Sequence, residues 1–115
     1  MRVTSEFWTS AYRRRQTSLG NFATIVKKGA LEAGAIFILV NRLDSRFDLY
    51  GPAPQYTFSV GNEDIERKFE CLLSSALQSE VDKKFENEAR MDPDFWVVEI
   101  EDRDGQHLLD VVAQD

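Results

Sequence analysis

Cysteine and histidine are almost absent from this chain: its 115 residues hold one of each, Cys71 and His107. No internal disulfide is possible, and a structural zinc site of ordinary ligand count is excluded. Long apolar runs are missing too. The longest, residues 35–40, falls far short of the roughly 20 residues a membrane helix needs. No GxGxxG occurs, and "GALEAG" has the glycine spacing of a phosphate loop but is followed by Ala35-Ile36 instead of Lys-Ser/Thr. The opening "MRVTSEFWTS" has no apolar core of a signal peptide, which together with the lone cysteine points to the cytoplasm. There is no repeat, low-complexity tract or long linker, so residues 1–115 read as a single domain, large enough to bury one core.

What is present is an ordinary globular balance, 43% hydrophobic and 30% charged, with a net charge of −6. The charge is uneven: the first thirty residues are basic, and residues 63–115 are strongly acidic. The plain reading is that the two parts face each other within one fold. The sharper one is head-to-tail association or a charged partner.

Residues 4–17 fit a helix. Thr4 or Ser5 can cap it, Phe7, Trp8, Ala11 and Tyr12 recur at helical spacing, and Gly20 ends it. "NFATIVKK" and "AIFILVNR" are strand-like runs joined by a Gly-flanked loop and suggest a hairpin, with residues 35–40 central and covered on both faces. "RFDLY" and "QYTFSV" alternate as strands on either side of "GPAP". Residues 62–76 fit either a long helix or a strand in "RKFECLL" followed by a helix from about Ser79, lined by Val81, Phe85 and Ala89 and ended by Pro93; the strand reading is preferred. Residues 95–102 alternate, with Trp96, Val98 and Ile100 opposite Val97, Glu99 and Glu101. Asp104-Gly105 then suggests a two-residue hairpin turn that sets Asp102 opposite His107 and Glu99 opposite Asp110.

Three groups of residues could carry chemistry. Glu99, Glu101 and Asp110 on one sheet face could gather a hard cation, although a solvated outer face explains them as well and no metal is expected. Asp102 and His107 could form an oriented acid–base pair, but no nucleophile can be assigned to them. Arg13, Arg14 and Arg15, beside Trp8 and Tyr12, could touch nucleic acid, or could simply be a helix end docked on the acidic half. Tyr50, Pro52 and Pro54 in "LYGPAP" could form a partner-binding loop.

Taken together, "SEFWTSAYRRR", "EAGAIFILVNRL", "LYGPAP" and "DPDFWVVEIEDRDG" resemble a family of small bacterial proteins classed only as a domain of unknown function. The resemblance implies a single-domain bacterial protein of the cytoplasm and supplies no activity, ligand or catalytic residue. The expectation is an α+β fold with a mostly antiparallel sheet of five or six strands, two main helices and a C-terminal hairpin at Asp104-Gly105. The expected role is a protein-interaction module, possibly self-associating, with no cofactor. Protein is the expected partner, not membrane or nucleic acid. The alternatives are an enzyme built on the carboxylates between Glu99 and Asp110, and nucleic-acid binding through Arg13, Arg14 and Arg15.

Overall fold

The computed structural model describes residues 3–54 and 67–112. Helix α1, Ser5–Ser18, starts where Thr4 accepts a hydrogen bond from the Phe7 amide. The Ser5 and Glu6 amides, which have no partner inside the helix, donate to the carbonyls of Glu32 and Leu31. The helix ends at Gly20, whose φ of +89° suits a residue without Cβ. Its buried stripe is Ser5, Thr9, Tyr12 and Gln16, offset from the apolar stripe expected; Phe7 is exposed. The polar stripe is tolerated because each member is bonded: Ser5 Oγ donates to Gly34 O, Thr9 Oγ1 to Ser5 O, and the Tyr12 and Gln16 side chains reach His107 O.

Five strands follow, all in one mixed sheet: β1 Ala23–Lys27, β2 Ile36–Asn41, β3 Phe47–Pro52, β4 Phe69–Ala76 and β5 Trp96–Glu101. Between β4 and β5 lies helix α2, Gln78–Met91. The strand reading of residues 69–73 therefore holds. The helix begins one residue before Ser79, with Glu80 reaching back to the Leu77 amide. Of its expected stripe only Val81 is buried; Phe85 is half-buried and Ala89 exposed, because the helix runs off the sheet at its C-terminal end. The expected strand at 55–60 lies outside the described residues.

The sheet order is β1-β5-β2-β3-β4. Every pairing is antiparallel except β2–β5, which is parallel. The expected β1–β2 hairpin does not form, because β5 is inserted between its arms. The loop that joins them spans two strand spacings and wraps the start of β5. Ala30 N donates to Asp94 O, and Trp96 donates through N to Ala35 O and through Nε1 to Ala30 O. Any side chain at Gly29 would meet Asp94 O at 2.3 Å, so the wrap requires glycine there.

The insertion of β5 also removes the expected C-terminal hairpin. Both edges of β5 are already paired, so residues 106–110 cannot lie beside it. Asp104-Gly105 does make a turn: Gly105 N donates to Asp102 O and has φ +73°. The chain then crosses one face of the sheet and docks at the far edge, where Phe69 N donates to Asp110 O and Val112 N to Phe69 O.

The sheet is apolar on both sides. One face holds Ile36, Ile38, Val40, Trp96, Val98 and Ile100, covered by α1 and the crossing tail. The other holds Phe37, Leu39, Leu49 and Val97, covered by α2 through Val81 and Phe85. Trp96 is 2% exposed, as its place in the alternation requires.

Candidate functional site

Helix α2 packs over the β3–β4 side of its face. Between it and the β1 side of the sheet lies a cleft of about 320 Å³. Leu39, Phe95 and Val97 line it from the sheet, and Val81 and Phe85 from the helix. This division follows from the strands themselves. Positions 37, 39, 95 and 97 are the second apolar set of two central strands, and each is 5% exposed or less, so together they make a buried floor at this end of the sheet.

Polar groups rim the apolar lining. Asn41 Nδ2 donates to Glu99 Oε2 at 3.5 Å, and Gln78 Nε2 donates to Asp82 Oδ1 at 2.9 Å. Neither Glu99 nor Asp82 pairs with a cation; the ion pairs found among the described residues are Arg42–Asp48 and Lys68–Asp110. Lys27, the cation nearest the cleft, is committed elsewhere. Its ammonium sits 4.1 Å from the centroid of the Phe95 ring and donates to the carbonyls of Pro93 and Phe95. The cleft can therefore take a group with an apolar body and a positive end.

Of the residues singled out in the sequence, Glu99 lies in this cleft. Glu101 follows on the same side of β5, but Asp110 is beside β4, bonded to Lys68. The three carboxylates do not converge, and among the described residues no group of three or more His, Cys, Asp or Glu side chains does. With the hairpin lost, the Glu99–Asp110 pairing is lost as well.

Asp102 and His107 are also apart. Asp102 Oδ1 accepts from the Asp104 amide, and His107 Nδ1 accepts from the Leu109 amide. An imidazole accepting through Nδ1 carries its proton on Nε2, so His107 presents a donor there, not a base. Its ring packs on Tyr50, with centroids 4.5 Å apart. Burial lowers the His107 pKa below the ordinary histidine value, against the pull of the Asp48 carboxylate. Burial raises the Tyr50 phenol, and the nearby Cys71 and Asp48 add to this. Burial, again helped by Asp48, raises the Cys71 thiol. A thiol held protonated is a poor nucleophile, so the cluster does not complete the missing triad.

The other candidates are scattered. Tyr50 is buried in β3 beneath His107, Pro52 ends that strand, and Pro54 lies beyond it. Only Pro52 is exposed, so "LYGPAP" does not present its tyrosine to a partner. Arg13, Arg14 and Arg15 sit on the last turns of α1 and, among the described residues, form no ion pair with the acidic half. The cleft's other polar residues, Lys27, Asn41, Gln78 and Asp82, went unnoticed in the sequence. They come from four different elements and share no motif.

The chain was compared with known proteins. A family model described as a protein of unknown function, DUF1491, matches residues 3–110. A solution structure of a protein from A. tumefaciens is 44% identical, covering all of this chain and 98% of its own, with a TM-score of 0.84. The crystal structure of a DUF1491 family protein from Caulobacter crescentus is 34% identical over 98% of this chain and 100% of its own, with a TM-score of 0.75. No curated protein matches. The chain belongs to the DUF1491 family, whose function is unknown.

Proposed function

We propose that this single-domain chain is a small cytoplasmic protein-interaction module whose docking site is the cleft beside α2, and not an acidic hairpin face or the "LYGPAP" loop. One observation carries the reading: a cleft with an apolar floor between α2 and β1, with two carboxylates at its rim that no cation among the described residues answers. Val26, which lines the cleft, is 57% exposed, and Phe22 just before β1 is 55% exposed. Apolar surface gathered beside a cleft and rimmed by charge is a common signature of a protein-binding surface. No helix among the described residues is long and apolar enough to cross a membrane.

Site-specific photocrosslinking in bacterial cells tests the reading. A photoreactive residue is placed at Gln78 on the cleft rim, or at Arg103 on the distant turn. The expected result is a discrete protein adduct from position 78 and none from 103. Equal adducts from both positions, or none from either, would remove the cleft as a docking site.

A further inference from the structure

Strand β1 is an edge of the sheet, and the cleft opens beside it. Glu101 N donates to Phe22 O, so Phe22 and Thr24 direct their main-chain groups toward β5. Alternation along an antiparallel ladder then turns the N–H and C=O groups of Ala23 and Ile25 outward. Among the described residues these outward groups have no partner. Edges of this kind are often guarded by an outward lysine. Here Lys27 is turned inward onto the Phe95 ring, and a bulge at Val26 ends the regular ladder.

We propose that β1 receives an extended segment of a partner protein as a sixth strand, and that this segment carries Lys or Arg between apolar residues. The inference rests on the cleft being a docking site and names its occupant. Thr24 lies opposite Glu99 in the register. A residue of the added strand level with Thr24 stands two strand spacings, about 9.6 Å, from Glu99. An arginine can bridge that distance over the small Thr24 side chain and meet a carboxylate that has no cation among the described residues. The apolar neighbours of that arginine turn to the opposite face, where they pack beside the half-buried Ile25. Main-chain bonds to Ala23 and Ile25 then supply affinity, and the charge selects the sequence. A second copy of this chain, with its own net charge of −6, is the less complementary occupant.

The test uses the isotope-labelled full chain and two capped hexapeptides, Thr-Arg-Val-Arg-Val-Thr and its counterpart with Glu in place of Arg. Amide exchange is followed residue by residue. The Arg peptide is expected to slow exchange at Ala23 and Ile25 by about tenfold or more, as main-chain bonding to these amides requires; the Glu peptide is expected to leave both unchanged. Glu99→Gln should weaken binding about fivefold, the scale of one solvent-exposed ion pair. Ile25→Pro removes an outward N–H that no described residue uses and should abolish binding. If that variant does not fold, Glu99→Gln carries the test. Binding that leaves Ala23 and Ile25 unprotected would overturn strand addition while sparing the cleft. Equal binding of both peptides, or no binding at millimolar concentration, overturns the proposal. Protection that grows with protein concentration and no peptide would assign the edge to a second copy and also overturn it.

Discussion

The phenol of Tyr12 donates a 2.7 Å hydrogen bond to the carbonyl of His107, 95 residues along the chain. It fastens α1 to the tail that crosses the same sheet face, and Gln16 Nε2 joins at 3.2 Å. Tyr12→Phe keeps the ring, which stacks on Trp8, and removes this bond together with the one the phenol oxygen accepts from Gln16 Nε2 at 3.3 Å. The expected loss is about 1 kcal/mol, read by urea unfolding, with Gln16 keeping the His107 carbonyl partly satisfied. Burial also raises the Tyr12 pKa above the ordinary tyrosine value of about 10. The native state then holds this proton more tightly than the unfolded one. The stabilisation is complete below about pH 10 and is lost as pH climbs through the raised native value. The wild type should therefore lose stability above that pH more steeply than Tyr12→Phe.

Arg13, Arg14 and Arg15 invite the opposite kind of test. The uneven charge of the chain suggested that they dock on the acidic half, yet among the described residues none forms an ion pair. Replacing all three by Gln should change stability by no more than about 0.5 kcal/mol, since exposed charges away from specific partners contribute little. A larger loss that disappears in high salt would show that these arginines are held by longer-range attraction.

Gly29 reports on the insertion of β5. A Cβ there would stand 2.3 Å from Asp94 O and 2.6 Å from Phe95 C, both backbone atoms that cannot rotate away. Gly29→Ala should cost about 1–3 kcal/mol and displace the start of β5. Chemical denaturation measures the first, and the indole N–H resonance of Trp96, which donates to Ala30 O, reports the second.

The same insertion marks the limit of what could be read from the residues. Helix α1, the buried β2 and the two faces of β5 were legible because each depends on local caps or on alternation along one segment. Strand order was not. Asp104-Gly105 is a turn whether or not a strand follows it, and only the far partners of β5 decide. One signal was available: Phe95, Trp96, Val97 and Val98 are apolar without interruption, which suits a strand flanked on both sides. Glu99 could be picked out by type alone. The cleft around it could not, since Leu39, Val97 and Phe85 each look like core, and only the placement of α2 over β3 and β4 opens a cleft beside them.

His107 should titrate below the ordinary histidine value, since burial against the sheet, where its ring packs on Tyr50, disfavours its charged form. The sign follows directly. Between the unfolded and the lowered native pKa, the unfolded chain binds the extra proton. The stabilising contribution is therefore present above about pH 6.5 and is lost as pH falls through the native value. The ring resonances of His107 give the midpoint by NMR. The fall in melting temperature from pH 7 to 5 should be smaller in His107→Asn than in the wild type.

Asp48 links this histidine to the sheet. Its buried carboxylate accepts from Arg42 Nη1 at 3.1 Å and from the Ser75 amide at 2.8 Å, where Ser75 holds φ +52°. Its charge also acts on His107, opposing the effect of burial. Asp48→Asn keeps an acceptor for Ser75 and removes only the charge. Two outcomes are expected together. Stability should fall by about 1–3 kcal/mol as Arg42 loses its partner, reduced by the solvent that reaches its half-buried guanidinium. The His107 midpoint should move further down, because the one carboxylate favouring its protonated form is gone. An unchanged midpoint would mean that Arg42 screens Asp48 from the ring, and the coupling between sheet and tail would then run through the main-chain bonds of Phe69 with Asp110 and Val112.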